Sequence, residues 1–223
     1  LTPVDLSGGT AIAVAGLGKV VPHAVTGEPL WLLKDINLSI EPGEFVGLMG
    51  ESGCGKSTFM DAINGRRPGN HGNVYHDHQN LYKSFESLKA GIGYVPQQVI
   101  FHDELLVQDA LRYSSRLRLA KDISAAEIAK NIDDVLNTVE LTKRRDSRIH
   151  SLSGGQQKRV PLAMELLSHP RALFLDEVTS GLDIGTERRM MELFRELASG
   201  GMTIACITHF VDSLDIADKV AYF

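Results

Sequence analysis

Cysteine, positive charge and long apolar runs are all scarce in this chain. Only two cysteines occur in 223 residues, Cys54 and Cys206, which excludes a disulfide framework and fits a reducing compartment. Acidic residues outnumber basic ones by 28 to 23, for a formal net charge of −5. That balance argues against a nucleic-acid partner. No apolar run reaches the roughly eighteen residues of a membrane-spanning helix. The opening L-T-P-V-D-L-S-G-G-T lacks the basic start and apolar stretch of a secretory signal. An N-K-x-D stretch for guanine is also missing. His71, His76 and His78 crowd one segment, but no cysteine or further histidine lies close in sequence, so they read as a solvated hairpin and not as a metal site. At 43% apolar residues, the composition is that of an ordinary globular chain, long enough for one large or two small lobes.

What the sequence does contain is a phosphate-cradling loop. Residues 50–57 read G-E-S-G-C-G-K-S, matching G-x-x-x-x-G-K-[ST]. Glycines let the backbone turn so that its N–H groups converge on an anion. The segment Gly50, Glu51, Ser52, Gly53, Cys54, Gly55, Lys56, Ser57 and Thr58 is therefore expected to hold a nucleoside triphosphate. Lys56 supplies a full charge, and the Ser57 hydroxyl is a hard ligand suited to Mg²⁺. The apolar run 44–49 before the loop predicts a buried strand. The spacing of Phe59, Met60 and Ile63 predicts a helix over 56–64, whose positive end faces the phosphates.

A second acidic site follows. Residues 172–177 read A-L-F-L-D-E, a buried strand ending in two carboxylates. Parallel α/β sheets bind ligands at such strand ends, so Asp176 is placed to hold Mg²⁺ and Glu177 to accept a proton from water. Further on, Leu152-Ser-Gly-Gly-Gln156 opens an apolar helix. Ser153 is a good N-cap, and the glycines leave backbone donors uncovered, which makes a second anion site. His209 lies just past the β-rich run 203–207, beside neighbouring strand ends.

Taken in order, these segments resemble an ATP-binding cassette (ABC) ATPase domain along nearly the whole chain. The phosphate loop is 50–57, the Q-loop Gly93-Tyr-Val-Pro-Gln97, and the signature 152–156. The Walker B segment is 172–177, the D-loop Ser180-Gly-Leu-Asp183, and the switch histidine His209. The spellings E-S-G-C-G-K-S-T-F-M-D-A-I-N-G-R and A-M-E-L-L are similar to G-subfamily exporters and to bacterial proteins fusing a forkhead-associated domain, this ATPase and a membrane domain. The resemblance implies two ATPase domains closing head to tail around two ATP molecules, as a homo- or heterodimer. It implies that Ser153, Gly154, Gly155 and Gln156 reach the partner's γ-phosphate and that Asp183 crosses the interface. It implies that Gln97 contacts Mg²⁺ and the attacking water, that Glu177 is the base, and that His209 holds the γ-phosphate. The expected partner is a transmembrane permease domain fused in the full-length protein, with the ATPase on the cytoplasmic side of the membrane. A soluble ABC ATPase acting on ribosomes or DNA is one alternative, and an ATP-gated interaction module with little turnover is another.

Three positions depart from the family pattern. Val178 stands where proline usually follows the catalytic glutamate. Pro161 lies inside the helix after the signature, where it predicts a bend or a shifted start. No aromatic ring precedes the phosphate loop to stack on adenine; Val21 can offer only apolar contact, and Trp31 is the less favoured substitute.

The expected fold is α/β, a P-loop NTPase core with a mixed, mainly parallel sheet, an N-terminal antiparallel β subdomain and an inserted α-helical subdomain. Antiparallel strands are predicted at 11–17, 36–40 and 73–76. Parallel strands are predicted at 44–49, 92–95, 172–176, 203–207 and 219–223, with a helix at about 184–198. Residues 1–102 and 169–223 form the expected core and β subdomain. Residues 103–168 form the helical lobe, including a capping box at Ser124–Glu127. The stop at Phe223, in or just after an apolar strand, reads as a domain cut from a longer protein.

Overall fold

The computed structural model describes residues 8–98, 102–120, 122–209 and 211–223; the first seven residues of the opening segment lie outside this range. Strands β1 (Ile12–Pro22) and β2 (Pro29–Ile40) form a hairpin that leads into β3 (Phe45–Met49). The phosphate loop follows, then α1 (Lys56–Ile63), β4 (His71–His76), β5 (Gln79–Asn80), α2 (Phe85–Leu88) and β6 (Ile92–Val95). Three longer helices come next, α3 (Val107–Arg118), α4 (Ala125–Thr138) and α5 (Gly154–Leu166). The chain then returns through β7 (Ala172–Asp176), α6 (Ile184–Ser199), β8 (Thr203–Ile207) and β9 (Lys219–Tyr222).

Parallel and antiparallel pairings are segregated. One sheet runs β2-β1-β4-β5 and is antiparallel throughout; the other runs β6-β7-β8-β3-β9 and is parallel throughout. The central strands β3, β7 and β8 are buried on both faces, and their alternating side chains feed two separate cores. Val46, Leu48, Phe174 and Ala205 pack with α1 and the antiparallel strands. Phe45, Leu173, Leu175 and Ile204 pack with α3 to α6. This two-sided burial explains why these strands read as unbroken apolar runs.

The first hairpin is longer than the sequence suggests. β1 and β2 extend to Pro22 and Pro29 across register shifts near Gly16 and Leu17, and Asp35 takes a left-handed φ of 52°. These bulges break the two-residue period on which strand reading depends. The histidine segment also departs from expectation. His76 is buried at 1% exposure and shares the inward face of β4 with Val74, so it is a core residue and not a solvated one. Its Nε2 lies 2.9 Å from the carbonyl oxygen of Ile63 at the end of α1.

The predicted helices are present. Ser124 caps α4 in a reciprocal capping box with Glu127, and Ile132, Val135 and Leu136 are buried. Helix α5 starts at Gly154 and runs through Pro161 to Leu166, so the proline does not shift the start. Proline has no N–H, so the Gln157 carbonyl loses its usual i+4 donor.

Candidate functional site

The carboxyl ends of β3, β8, β7 and β6 lie side by side, and each delivers one piece of the site. β3 runs into the phosphate loop. Gly55 takes a left-handed φ of 105° as N-cap of α1, and an added Cβ there would sit 2.9 Å from the Leu32 carbonyl oxygen. Only glycine meets both demands. No side chain caps α1 and its first turn carries no acid, so its N-terminal donors are left for an anion. Lys56 is 4% exposed, and its Nζ donates to the carbonyl oxygens of Gly50 at 2.8 Å and Glu51 at 2.7 Å. The ammonium is thus fixed at the mouth of the loop. Glu51, Ser52 and Gly53 are exposed, Cys54 and Thr58 half-buried, and Cys54 Sγ stands 3.8 Å from Lys56 Nζ.

The β7 end supplies the two acids. Ser57 Oγ donates to Asp176 Oδ1 at 3.2 Å, joining the start of α1 to the end of β7. Burial lifts the Asp176 carboxyl above its usual range, opposed by the Ser57 hydroxyl and reinforced by the negative Glu177. A divalent cation beside it would reverse that shift. Among the described residues, no three His, Cys, Asp or Glu cluster into a self-sufficient metal site. One hydroxyl and one carboxylate fit Mg²⁺, which keeps waters and shares its shell with phosphates.

Glu177 is held from both sides. Gln97 Nε2 donates to Oε2 at 2.7 Å, and His209 Nε2 lies 3.0 Å from Oε1. Its backbone is left-handed, with φ 48°. The next residue, Val178, is buried at 3% exposure and anchors the turn. A cavity of about 170 Å³ opens beside the carboxylate, lined by Glu177, Thr179, Ser180, Gly181, Thr208 and His209. That volume has room for a water next to a base.

The signature segment starts α5. Ser153 and Gln156 form a capping box, with Gln156 N to Ser153 Oγ at 3.4 Å and Ser153 N to Gln156 Oε1 at 3.2 Å. Gly154 faces open space, whereas a Cβ on Gly155 would lie 2.5 Å from Thr186 Cγ2. Asp183 caps α6 by accepting from Thr186 N at 3.0 Å, and this bonding holds its carboxyl below the usual range. Among the described residues, no hydrogen bond joins 153–156 to the phosphate loop; Ser153 and Gln156 bond to each other. Val21 is half-buried on β1 opposite Leu30, while Trp31 packs at a tilt against His71 at 5.0 Å between centroids.

Two site residues escaped the sequence reading. Tyr94 sends its hydroxyl to within 3.4 Å of Asp176 Oδ2, and burial followed by the Asp176 charge pushes its phenol up to about 12. Glu165, the lone acid in an otherwise apolar stretch of α5, accepts from the Tyr94 backbone N–H at 3.2 Å. A carboxylate in such a stretch was the available signal.

The ABC transporter family model matches residues 33–180. The ABC transporter ATP-binding/permease protein Rv1747 of Mycobacterium tuberculosis is 39% identical over 189 residues, covering 85% of this chain and 22% of its own length. ABC transporter G family member 2 of Dictyostelium discoideum is 37% identical over 186 residues, covering 81% of this chain and 14% of its own length. The chain thus spans only a minor part of these curated relatives. Among solved structures, the dimeric bacterial ABC transporter cassette MJ0796 superposes with a TM-score of 0.83 at 28% identity, covering 95% of this chain and 94% of its own. The same cassette in a post-hydrolysis state bound to ADP and Pi gives a TM-score of 0.82 at 27% identity, over the same shares.

Proposed function

This chain belongs to the ABC transporter family as an ATPase cassette, and we propose that it hydrolyses Mg-ATP while paired head to tail with a second cassette, driving a membrane partner. The observation that carries the reading is the double hold on Glu177 by Gln97 and His209, with β8 alone between the Glu177 strand and the strand of the phosphate loop.

Gly50 to Thr58 cradle the triphosphate, and Lys56 carries charge to its β- and γ-oxygens. Ser57 and Asp176 would hold Mg²⁺, with Gln97 completing its surroundings, and a bound ion would supply charge neutralisation for the phosphates. Glu177 accepts a proton from water as its oxygen attacks the γ-phosphorus and the bond to the β-phosphate oxygen breaks. Gln97 and His209 keep the carboxylate aimed at that water, and His209 also steadies the γ-phosphate. Ser153, Gly154, Gly155 and Gln156 bring donors to the partner's γ-phosphate on closure, and Asp183 crosses the interface. Val21 is the apolar neighbour of the base. The dimeric neighbour, itself seen with ADP and Pi, supports this arrangement.

Residues 1–102 and 169–223 act as the core and β subdomain, with 103–168 as a rotating helical lobe. The permease is fused in the full-length protein, as the name of the mycobacterial relative suggests, and the cassette faces the cytoplasm. Steady-state ATPase assays of wild type and Glu177→Gln test the core of the reading. Turnover should fall about 10²- to 10⁴-fold while nucleotide binding persists. Equal rates would mean a binding module without an engine.

A further inference from the structure

We infer that Glu165, clamped by Arg118, is a positioning residue that links the signature helix to both site carboxylates through Tyr94. The inference rests on the proposed ATPase reading and deepens it. Among the described residues, β6 is the edge strand of the parallel sheet and pairs with β7. Its Tyr94 N–H is taken up by a side chain, Glu165 Oε2, at 3.2 Å. An edge amide held by a carboxylate is a fixed point between two elements that share no ladder.

The carboxylate itself is immobilised. Arg118 at the end of α3 forks onto it, with Nη1 to Oε2 at 2.7 Å and Nη2 to Oε1 at 2.5 Å, and the Glu165 side chain is only 12% exposed. Such a two-point hold sets direction as well as distance. A thinner second link lies two turns earlier on the same face of α5, where Lys158 Nζ reaches the Gln97 carbonyl oxygen at 3.5 Å.

Tyr94 passes the position of α5 onward in two directions. Its hydroxyl stands 3.4 Å from Asp176 Oδ2. Its ring lies under the Arg66 guanidinium at 4.5 Å, and Arg66 pairs with Asp61 of α1 at 3.4 Å. Three residues further along, Gln97 holds Glu177. The helix capped by Ser153 is therefore tied at its far end to the strand that orients Asp176 and Glu177. A swing of the helical lobe that engages the signature also moves the partners of both carboxylates. Grip on one nucleotide and readiness at the other site become a single motion.

The test compares wild type with Glu165→Ala, Glu165→Gln, Arg118→Ala and the Glu165→Ala/Arg118→Ala double variant. Readouts are hydrogen exchange at the Tyr94 amide by NMR, ATPase kcat and KM, and thermal unfolding. Glu165→Ala should speed Tyr94 exchange and cut kcat by about ten- to a hundredfold with KM for ATP within about twofold, the scale of a lost outer-shell contact. Glu165→Gln keeps an acceptor oxygen for Tyr94 but loses the charged fork, so it should recover much of the exchange protection and part of kcat. Adding Arg118→Ala to Glu165→Ala should cost nothing more. If Glu165→Ala does not fold, Glu165→Gln and Arg118→Ala make the same comparison, each expected between wild type and inactive. Accelerated Tyr94 exchange with unchanged kcat overturns the link, as does a kcat loss matched by an equal rise in KM. A wild type without ATPase activity overturns the hydrolysis reading itself; an active wild type with an indifferent Glu165 overturns only the link.

Discussion

Two helices in this cassette begin at glycine-flanked turns, and they treat their exposed N–H groups in opposite ways. At α1 the cap is Gly55, no side chain covers the first turn, and a buried lysine waits beside it. At α5 the cap is Ser153, which with Gln156 satisfies part of the first turn internally. The first is a preorganised anion cradle. The second is stable by itself and, under the proposed closure, would take up a phosphate only by giving up weak, long contacts of 3.2 and 3.4 Å. Their far ends differ as well. His76 holds the last carbonyl region of α1, inside the core, while Glu165 holds α5 against the edge of the sheet. One grip is fixed to the body of the fold and the other hangs from an adjustable rivet.

The contrast breaks most sharply at Lys56. Lys56→Ala should weaken ATP binding by about 2–3 kcal/mol, roughly a hundredfold in Kd by titration, because a charged donor is lost from a cradle that has no substitute. Signature variants should leave single-chain ATP affinity unchanged, so an equal loss there would erase the distinction. Within the signature, Gly155→Ala should destabilise the fold by about 1–3 kcal/mol in denaturant unfolding, since its Cβ meets Thr186. Gly154→Ala, facing open space, should be neutral or slightly stabilising by the same measurement, yet slow turnover. Ser153→Ala should cost about 1 kcal/mol of stability through the lost cap and lower kcat in the paired state.

The smallest effect concerns the anchor of α1. Burial holds the His76 ring below its ordinary value of 6.5, so the folded chain keeps it neutral. Above pH 6.5 its contribution is intact. As pH falls below 6.5 the unfolded chain binds the proton first, and stability drops until the folded-state value is passed. Tm should therefore fall more steeply between about pH 7 and pH 5 in wild type than in His76→Gln. Equal slopes would remove His76 from the comparison.

Much of this was readable in the chain because strand, turn and chemistry coincide. The run Ala172 to Asp176 is apolar for a physical reason, two cores, and the same run points its terminal acid at the ligand edge. The capping box at Ser124 and the N-cap at Ser153 were legible for the same local reason, whereas the reciprocal bond from Gln156 was not read. Less legible was anything that depends on contacts distant in sequence. Glu165 meets Tyr94 and Arg118 across gaps of 71 and 47 residues, which no local pattern records. His76 departs from the solvated-hairpin expectation because it alternates with Val74 on the inward face of β4, a two-residue signal too short to outweigh a crowded polar segment. The full length of β1 and β2 was hidden by bulges that break period two.

The turn at Glu177 sits in a region that L side chains enter at a price of about 1–2 kcal/mol, and glycine enters freely. A protein shaped only for durability would carry glycine at that position. With a carboxylate retained there, the proposed base of the cassette is also a place where the fold works against itself, so variants hardened against heat should tend to be those that can no longer turn over.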